Sequence, residues 1–241
     1  MNFLILLKKI KNTFLTPHWN NYYIKNNKLI TENSIVKFNK YKSFFFKFLW
    51  FLPNLESHKY WYGAIENDKH GFDKYLKPNN YAKILLEEIT KRTKDKRTKI
   101  LDLCCNVGRH LNVLNELGYA NLYGVDVSEI AIKKMKIFFK NLKEIKITHS
   151  TAESYLLKTE DNFFDIIFTH GATVELIPAT FSLVKEVSRV TNDLVIFLIQ
   201  ENGHAYPRFW RYEFKRNNMN LIYDKKLESG LSLLVFKKIF K

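Results

Sequence analysis

The feature that most constrains the fold is an alternation, after about residue 95, of short apolar segments with segments of helical spacing. Five apolar segments have strand length, and capping or breaking residues mark their boundaries. The predicted strands are "KILDLC", "NLYGVDV", "EIKITHS", "FFDIIFTH" and "DLVIFLIQ". Strands that alternate with helices predict a doubly wound, mostly parallel sheet with helices on both faces.

The connecting segments complete this α/β pattern. The predicted helices cover residues 109–117, 128–140, 152–157, 178–189 and 207–217. Ser128 is placed as an N-cap, and Pro178 stands where a first helical turn tolerates proline. The final stretch "NLIYDKKLESGLSLLVFKK" predicts a C-terminal antiparallel hairpin, which gives seven strands in all.

The chain changes character near residue 95. Before it, aromatic residues crowd an irregular region that ends in a helix predicted at Asn80 to Lys91, followed by the solvated run "KRTKDKRTK". We therefore expect an aromatic-rich N-terminal cap over residues 1–95 and a ligand-binding α/β domain over residues 96–241.

The first 15 residues leave two interpretations open. Apolar side chains share one face of a helix there, with lysines elsewhere, so residues 1–15 fit either an anionic membrane surface or packing on the protein itself. The charges follow the apolar run, whereas in a secretory signal they precede it. Neither this segment nor residues 44–53 reaches the ~20 apolar residues that span a bilayer.

The composition bounds the partners. A net charge of +15 admits an anionic partner, but the lysines are scattered, which favours a solvated surface over a nucleic-acid site. The two cysteines are adjacent, at 104 and 105, and they fit a reducing cytoplasm better than a disulfide framework. They are too few for a zinc site, so we predict no metal.

Polar residues gather where the predicted strands end, which is where such sheets bind ligands. Asp102 ends the first strand, and the turn from Cys104 to Gly108 leads into a helix. Asp126 ends the second strand at a spacing that suits a ribose diol. A dinucleotide-binding dehydrogenase is disfavoured, because glycines are missing where a pyrophosphate needs close backbone approach.

In this order and spacing, "ILDLCCNVGRHL", "LYGVDVSEIAI", "STAESYL" and "DNFFDIIFTHGATVELIP" resemble the motifs of class I S-adenosylmethionine (SAM)-dependent methyltransferases over residues 96–200. The resemblance implies a Rossmann-like fold, SAM as cofactor and S-adenosylhomocysteine as product. The family has glycine where this chain has Cys104 and Asn106, and Asn tolerates a positive φ.

The resemblance also implies cofactor contacts. Asp102 and the turn after it would hold the methionine portion, and Asp126 the ribose hydroxyls. The full implied set is Trp61, Asp102, Cys104, Asn106, Gly108, Asp126, Val127, Ala152, Glu153, His170 and Gly171.

Methyl transfer from a sulfonium needs alignment and, for a hydroxyl acceptor, often a general base. The candidate bases are His170, Glu175 and His204, on predicted loops after the fourth and fifth strands. In "QENGHAYPRFWRYEF", the candidate substrate residues are Tyr206, Arg208 and Arg211, which suit a sugar ring or phosphate. The same segment could instead form a helix buried against the sheet.

We therefore expect a bacterial, cytoplasmic enzyme that O-methylates a small polar acceptor, such as a sugar or a phosphorylated or nucleotide-linked precursor of capsule or lipopolysaccharide. The membrane interpretation of residues 1–15 would place it at the inner face of the membrane. One alternative is an RNA or protein methyltransferase, which the charge favours. No "NPPY"-type segment or RNA-binding module supports that alternative. Another alternative is a non-catalytic scaffold in which Cys104 has spoiled the pocket.

Overall fold

The computed structural model describes residues 73–140, 142, 145–171, 177, 181–200, 210–228 and 230–240. Most of the predicted cap over residues 1–95, and all of the segment 1–15, lie outside the described residues. The boundary at residue 95 stays a prediction.

Seven helices and seven strands occur within the described residues. The helices are α1 (Asp73–Leu76), α2 (Asn80–Arg92), α3 (Arg109–Glu116), α4 (Glu129–Phe138), α5 (Ala152–Lys158), α6 (Leu183–Val190) and α7 (Trp210–Arg216). The strands are β1 (Ile100–Leu103), β2 (Leu122–Asp126), β3 (Lys146–His149), β4 (Phe164–His170), β5 (Thr191–Gln200), β6 (Met219–Lys226) and β7 (Leu231–Lys238).

The strands form one seven-stranded sheet in the order β3-β2-β1-β4-β5-β7-β6. The first five strands pair in parallel, and β7 pairs antiparallel with both β5 and β6. This confirms the predicted mostly parallel sheet with a C-terminal antiparallel hairpin. The chain reverses its direction of travel across the sheet between β1 and β4, so the carboxyl ends of these two strands form the topological switch point at which such sheets bind ligands.

Both faces of the sheet are covered, which is why its central strands are continuous apolar runs. In β5, Val195 and Phe197 join the core on one face, whereas Leu194 and Ile196 join the core on the other. Side chains of α2, α3 and α4 pack in the second of these cores, and side chains of α5, α6 and α7 pack in the first. The helix α2, assigned from sequence to the N-terminal part, therefore belongs to the layer that covers the sheet.

Two helix starts test the boundary predictions. Ser128 is the N-cap of α4, and its Oγ accepts a hydrogen bond from the backbone N–H of Ala131, at 3.2 Å, as predicted. The prediction of one helix over residues 178–189 is wrong, because residues 181 and 182 are not helical and α6 begins at Leu183, while Pro178 itself lies outside the described residues. The preceding Ser182 has φ −75° and ψ 56°, which is not a helical conformation, so local turn geometry delays the helix.

Within the described residues, no helix combines the length and the apolar character needed to cross a bilayer.

Candidate active site

The turn between β1 and α3 follows the backbone path of a glycine-rich turn although it contains one glycine. Cys104, Asn106 and Gly108 all have positive φ, at 66°, 50° and 72°. Asn adopts this region more readily than most residues, whereas Cys adopts it at a cost. The turn is closed by a hydrogen bond of 2.9 Å from the N–H of Gly108 to the carbonyl of Cys105. Cys104 and Asn106 thus adopt a left-handed conformation at the positions where the resemblance implies glycine.

Asp126 connects this turn to the end of β2. The carboxylate is buried, and it accepts hydrogen bonds from the N–H of Asn106, at 2.7 Å, and of Ser128, at 2.8 Å. Burial raises the pKa of Asp126, and these two backbone donors oppose that rise. A carboxylate has about four acceptor positions, so Asp126 retains capacity for a ligand hydroxyl.

A small, open pocket lies beside Asp126. It is lined by Cys104, Val125, Asp126, Val127, Ser150, Thr151, Ala152, Glu153 and Ile177. The structure thus brings together five of the predicted cofactor residues, from the ends of three strands. Cys104 forms part of the wall of this pocket.

The Cys104 thiol is kept in its neutral form. Burial raises its pKa well above the usual value, and the nearby carboxylates of Asp126, Glu153 and Asp102 raise it further. An uncharged thiol beside these carboxylates makes the wall of the pocket less repulsive to an electron-rich ligand than a thiolate would.

Asp102 lies buried at the end of β1, at the switch point. Among the described residues, its Oδ2 atom has no hydrogen-bond partner, although Nδ1 of His110 is 3.4 Å away. A buried carboxylate without full compensation is costly, so such an atom points to a cationic or hydrogen-bonding ligand.

Basic side chains from α3 meet His170 at the end of β4. Nη2 of Arg109 lies 3.2 Å from Nδ1 of His170, and Nε2 of His110 lies 3.4 Å from the same atom. Burial, followed by the effects of His110 and Arg109, lowers the pKa of His170 to about 3. The neutral His170 ring therefore stands at the carboxyl edge of the sheet, next to Gly171. We call Asp102, Arg109, His110 and His170 the switch-point cluster.

Sequence reasoning missed Arg109 and His110. The available signal was their position, because both directly follow the turn and begin α3, whose first residues adjoin the strand ends. Their contacts with His170 join positions about 60 residues apart, and no local pattern encodes that separation.

The remaining predicted site residues have different placements. Trp61, Glu175, His204, Tyr206 and Arg208 lie outside the described residues. Arg211 is on α7, where its guanidinium forms two hydrogen bonds, of 2.7 and 3.0 Å, with the carboxylate of Asp224.

The helix α7 also packs against the sheet. Trp210 and Phe214 are fully buried, as the second sequence interpretation of this segment anticipated. No group of three or more His, Cys, Asp or Glu side chains within the described ranges has an arrangement that could hold a metal ion.

Comparison with known proteins gives three findings. A family model described as "Methyltransferase domain" matches residues 94–230. No curated protein sequence matches the chain. Many solved structures share the fold, at low sequence identity.

Three of these structures illustrate the likeness. A chain of the complex between the Haloferax volcanii Trm112 methyltransferase activator and the putative methyltransferase has a TM-score of 0.59 and 13% identity, covering 77% of this chain and 98% of that one. The TehB-like SAM-dependent methyltransferase from Corynebacterium glutamicum has a TM-score of 0.57 and 16% identity, covering 78% and 100%. The geranyl diphosphate C-methyltransferase from Streptomyces coelicolor, in complex with S-adenosylhomocysteine, has a TM-score of 0.54 and 10% identity, covering 66% and 76%.

Proposed function

The chain belongs to the methyltransferase domain family, and on that premise we propose that it O-methylates a hydroxyl of a small polar acceptor, such as a sugar or a precursor of a cell-surface polysaccharide. It is a SAM-dependent methyltransferase with a Rossmann-like fold. The observation that carries the proposal is the pairing of the pocket beside Asp126 with the switch-point cluster, on one edge of the sheet.

The described residues fit SAM in chemical terms. The uncompensated oxygen of Asp102 suits the positively charged amino group of the methionine portion. The spare acceptor capacity of Asp126 suits a ribose diol. Val127 and Ala152 offer apolar walls for an adenine, and the Glu153 carboxylate can accept from its amino group. When bound, SAM supplies a methyl group on a positively charged sulfur.

The chain must then orient an acceptor oxygen and remove its proton. We propose His170, Glu175 and His204 as the candidate groups for that proton transfer, since they belong to the ends of β4 and β5 or to the segments that follow them. The described part of the chain supports a role for His170 through its position at the switch point, whereas the other two lie outside the described residues.

The proposed acceptor class is based on the residue types in and just before α7. We propose that Tyr206, Arg208 and Arg211 bind the acceptor, and that it carries a phosphate or a nucleotide. The Arg211 guanidinium already holds a carboxylate in a two-point geometry, which is the geometry with which arginine also holds a phosphate. An anionic acceptor would compete with Asp224 for that group.

Calorimetric titration tests the cofactor site and then the acceptor. We expect SAM and S-adenosylhomocysteine to bind the wild type, and Asp126→Ala to weaken both, because the ribose loses its acceptor. The matched control is Asp193→Ala, which removes a partly exposed carboxylate near the start of β5, far from the carboxyl edge. Equal affinities in the two variants would refute the assigned role of Asp126.

The acceptor is then sought among sugar nucleotides and phosphorylated sugars, with transfer measured as production of S-adenosylhomocysteine. Methylation of none of them, by a protein that binds SAM, would refute the proposed acceptor class.

The net charge of +15 supports a second candidate, an RNA or protein methyltransferase. Contacts with RNA phosphates release counterions, so binding of a labelled RNA would fall steeply between 50 and 200 mM salt. A weak, salt-insensitive interaction would exclude the RNA candidate.

We also propose a cytoplasmic location with contact between residues 1–15 and the inner face of the membrane. Three lysines within this segment, Lys8, Lys9 and Lys11, would supply attraction to anionic lipid. Sedimentation with phosphatidylglycerol vesicles should decrease when all three are replaced by Gln. Equal sedimentation of this variant and the wild type would refute the contact.

A further inference from the structure

Two members of the switch-point cluster, Arg109 and His110, have no role in the function proposed above. We propose that Arg109 and His110 are positioning residues that fix the proton of His170 on Nε2, which makes His170 a hydrogen-bond donor to the acceptor. The catalytic part of this inference rests on the proposed methyl transfer. The position of the proton is a property of the protein alone.

The contact with Arg109 determines which nitrogen of His170 carries the proton. Nη2 of Arg109 lies 3.2 Å from Nδ1 of His170. A guanidinium has donors and no acceptor, so Nδ1 must accept and cannot carry a proton. A neutral imidazole has one proton, which is therefore on Nε2.

His110 approaches the same nitrogen of His170. Its Nε2 lies 3.4 Å from Nδ1 of His170, where an N–H on Nε2 would share the lone pair that Arg109 contacts. On the other side of the ring, Nδ1 of His110 lies 3.4 Å from Oδ2 of Asp102. The ring also meets Phe168 edge-on, with centroids 5.8 Å apart. The contact with Phe168 thus holds His110 in the orientation in which it faces His170.

Burial makes these contacts effective. The side chains of Asp102 and His110 are 2% and 6% exposed, so little water competes with the hydrogen bonds. Among the described residues, the charged or titratable groups that face His170 are Arg109 and His110 from α3, backed by Asp102 from β1. Tyr75 lies against the guanidinium of Arg109. Burial together with the two residues of α3 lowers the pKa of His170, so its ring is neutral at physiological pH and has no second proton for Nδ1.

The consequence concerns the direction in which a proton can move. Nε2 is on the edge of the ring away from the donors at Nδ1, and it presents an N–H. His170 can therefore donate to a lone pair of the acceptor oxygen, but it cannot take the hydroxyl proton while Nδ1 remains occupied. This inference removes His170 from the candidate bases proposed above. As the bond between oxygen and methyl carbon forms and the carbon–sulfur bond of the sulfonium breaks, releasing S-adenosylhomocysteine, the hydroxyl proton would pass to one of the other two candidates, Glu175 or His204.

Nitrogen NMR of the full-length, uniformly labelled protein without cofactor reports the proton directly. In the wild type at pH 7 we expect Nδ1 of His170 to resonate as an unprotonated ring nitrogen and Nε2 as a protonated one. The double variant Arg109→Met/His110→Phe removes both donors, and we expect its His170 signals to shift toward a mixture of tautomers. A proton on Nδ1 in the wild type, or identical His170 signals in the double variant, would overturn the proposal.

A matched pair separates a hydrogen-bonding role of His110 from simple packing. In the Arg109→Met background, His110→Gln places an amide donor near the former Nε2, whereas His110→Asn places one near the former Nδ1. We expect Gln to restore the Nε2–H form of His170 and Asn not to restore it. Equal spectra for these two variants would mean that His110 acts through packing alone.

Kinetics test the role of His170 itself. Gln at position 170 can donate from its amide nitrogen but cannot act as a base. We expect His170→Gln to lower kcat by about 10-fold and His170→Leu by about 100-fold, with a smaller change in KM for SAM. If Gln is as damaging as Leu, His170 is a general base and the proposal fails. If the wild type methylates no acceptor, the proposed function fails, whereas the NMR result stands.

Discussion

His170 should make this protein sensitive to acid. The pKa of His170 is about 3 in the folded protein, against an ordinary value of 6.5, because of burial and then the neighbouring His110 and Arg109. Between these values the unfolded chain binds a proton that the folded chain does not, so stability rises with pH across the window and falls as the pH is lowered. At pH 5, which is 1.5 units below the ordinary pKa, protonation of His170 in the unfolded chain lowers the free energy of unfolding by about 2 kcal/mol. At pH 7 it lowers the free energy of unfolding by almost nothing.

The variant that tests this value is His170→Asn, because the amide oxygen can replace Nδ1 as an acceptor while the titrating group is lost. Between pH 7 and pH 5, we expect the free energy of unfolding of the wild type to fall by about 2 kcal/mol more than that of His170→Asn. Urea unfolding followed by circular dichroism at both pH values measures the difference.

The matched control is His149→Asn, which removes an exposed histidine from the edge strand β3, away from the switch-point cluster. We expect the pH dependence of this control to follow the wild type. If His170→Asn loses as much stability as the wild type, folded His170 accepts a proton as readily as the unfolded chain does, and the account of its environment is refuted.

Two further predictions concern the turn. Gly108→Ala should destabilise the protein by about 2 to 3 kcal/mol, and Gly118→Ala by about 1 kcal/mol. Both glycines have a positive φ, but only a Cβ at position 108 would meet another side chain, with Sδ of Met135 at 2.7 Å. Equal losses of Tm in the two variants would show that Met135 moves aside. Alkylation of Cys104 by iodoacetamide at pH 8, followed by mass spectrometry, should be slow because its pKa is raised, and S-adenosylhomocysteine should slow it further. No protection by that ligand would contradict the place of Cys104 in the pocket wall.

Much of the fold was predictable from local patterns. The strands are runs of apolar residues long enough to be recognised, since burial on both faces leaves few polar positions in them. Ser128 marks the start of α4 because an N-cap hydroxyl satisfies an otherwise free backbone N–H. The start of α6 was mispredicted because Pro178 permits a first turn without requiring one, and Ser182 adopts another conformation.

The candidate site was predictable in part. Residues at or just after the end of a predicted strand, such as Asp126, Ala152 and Glu153, line one pocket because parallel strands end at one edge. The contacts of Arg109 and His110 with His170 were not predictable, because they depend on β1 pairing with β4 across some 60 residues of chain.

The sequence by itself therefore determined which segments form strands and helices, and which polar residues fall at strand ends, since spacing and burial act over a few residues. Only the tertiary structure decided which strand ends are neighbours, and so which charges meet. The order of strands in a sheet is selected by packing across the whole domain. In the switch-point cluster, that packing brought Asp102, Arg109 and His110 against His170 and lowered its pKa.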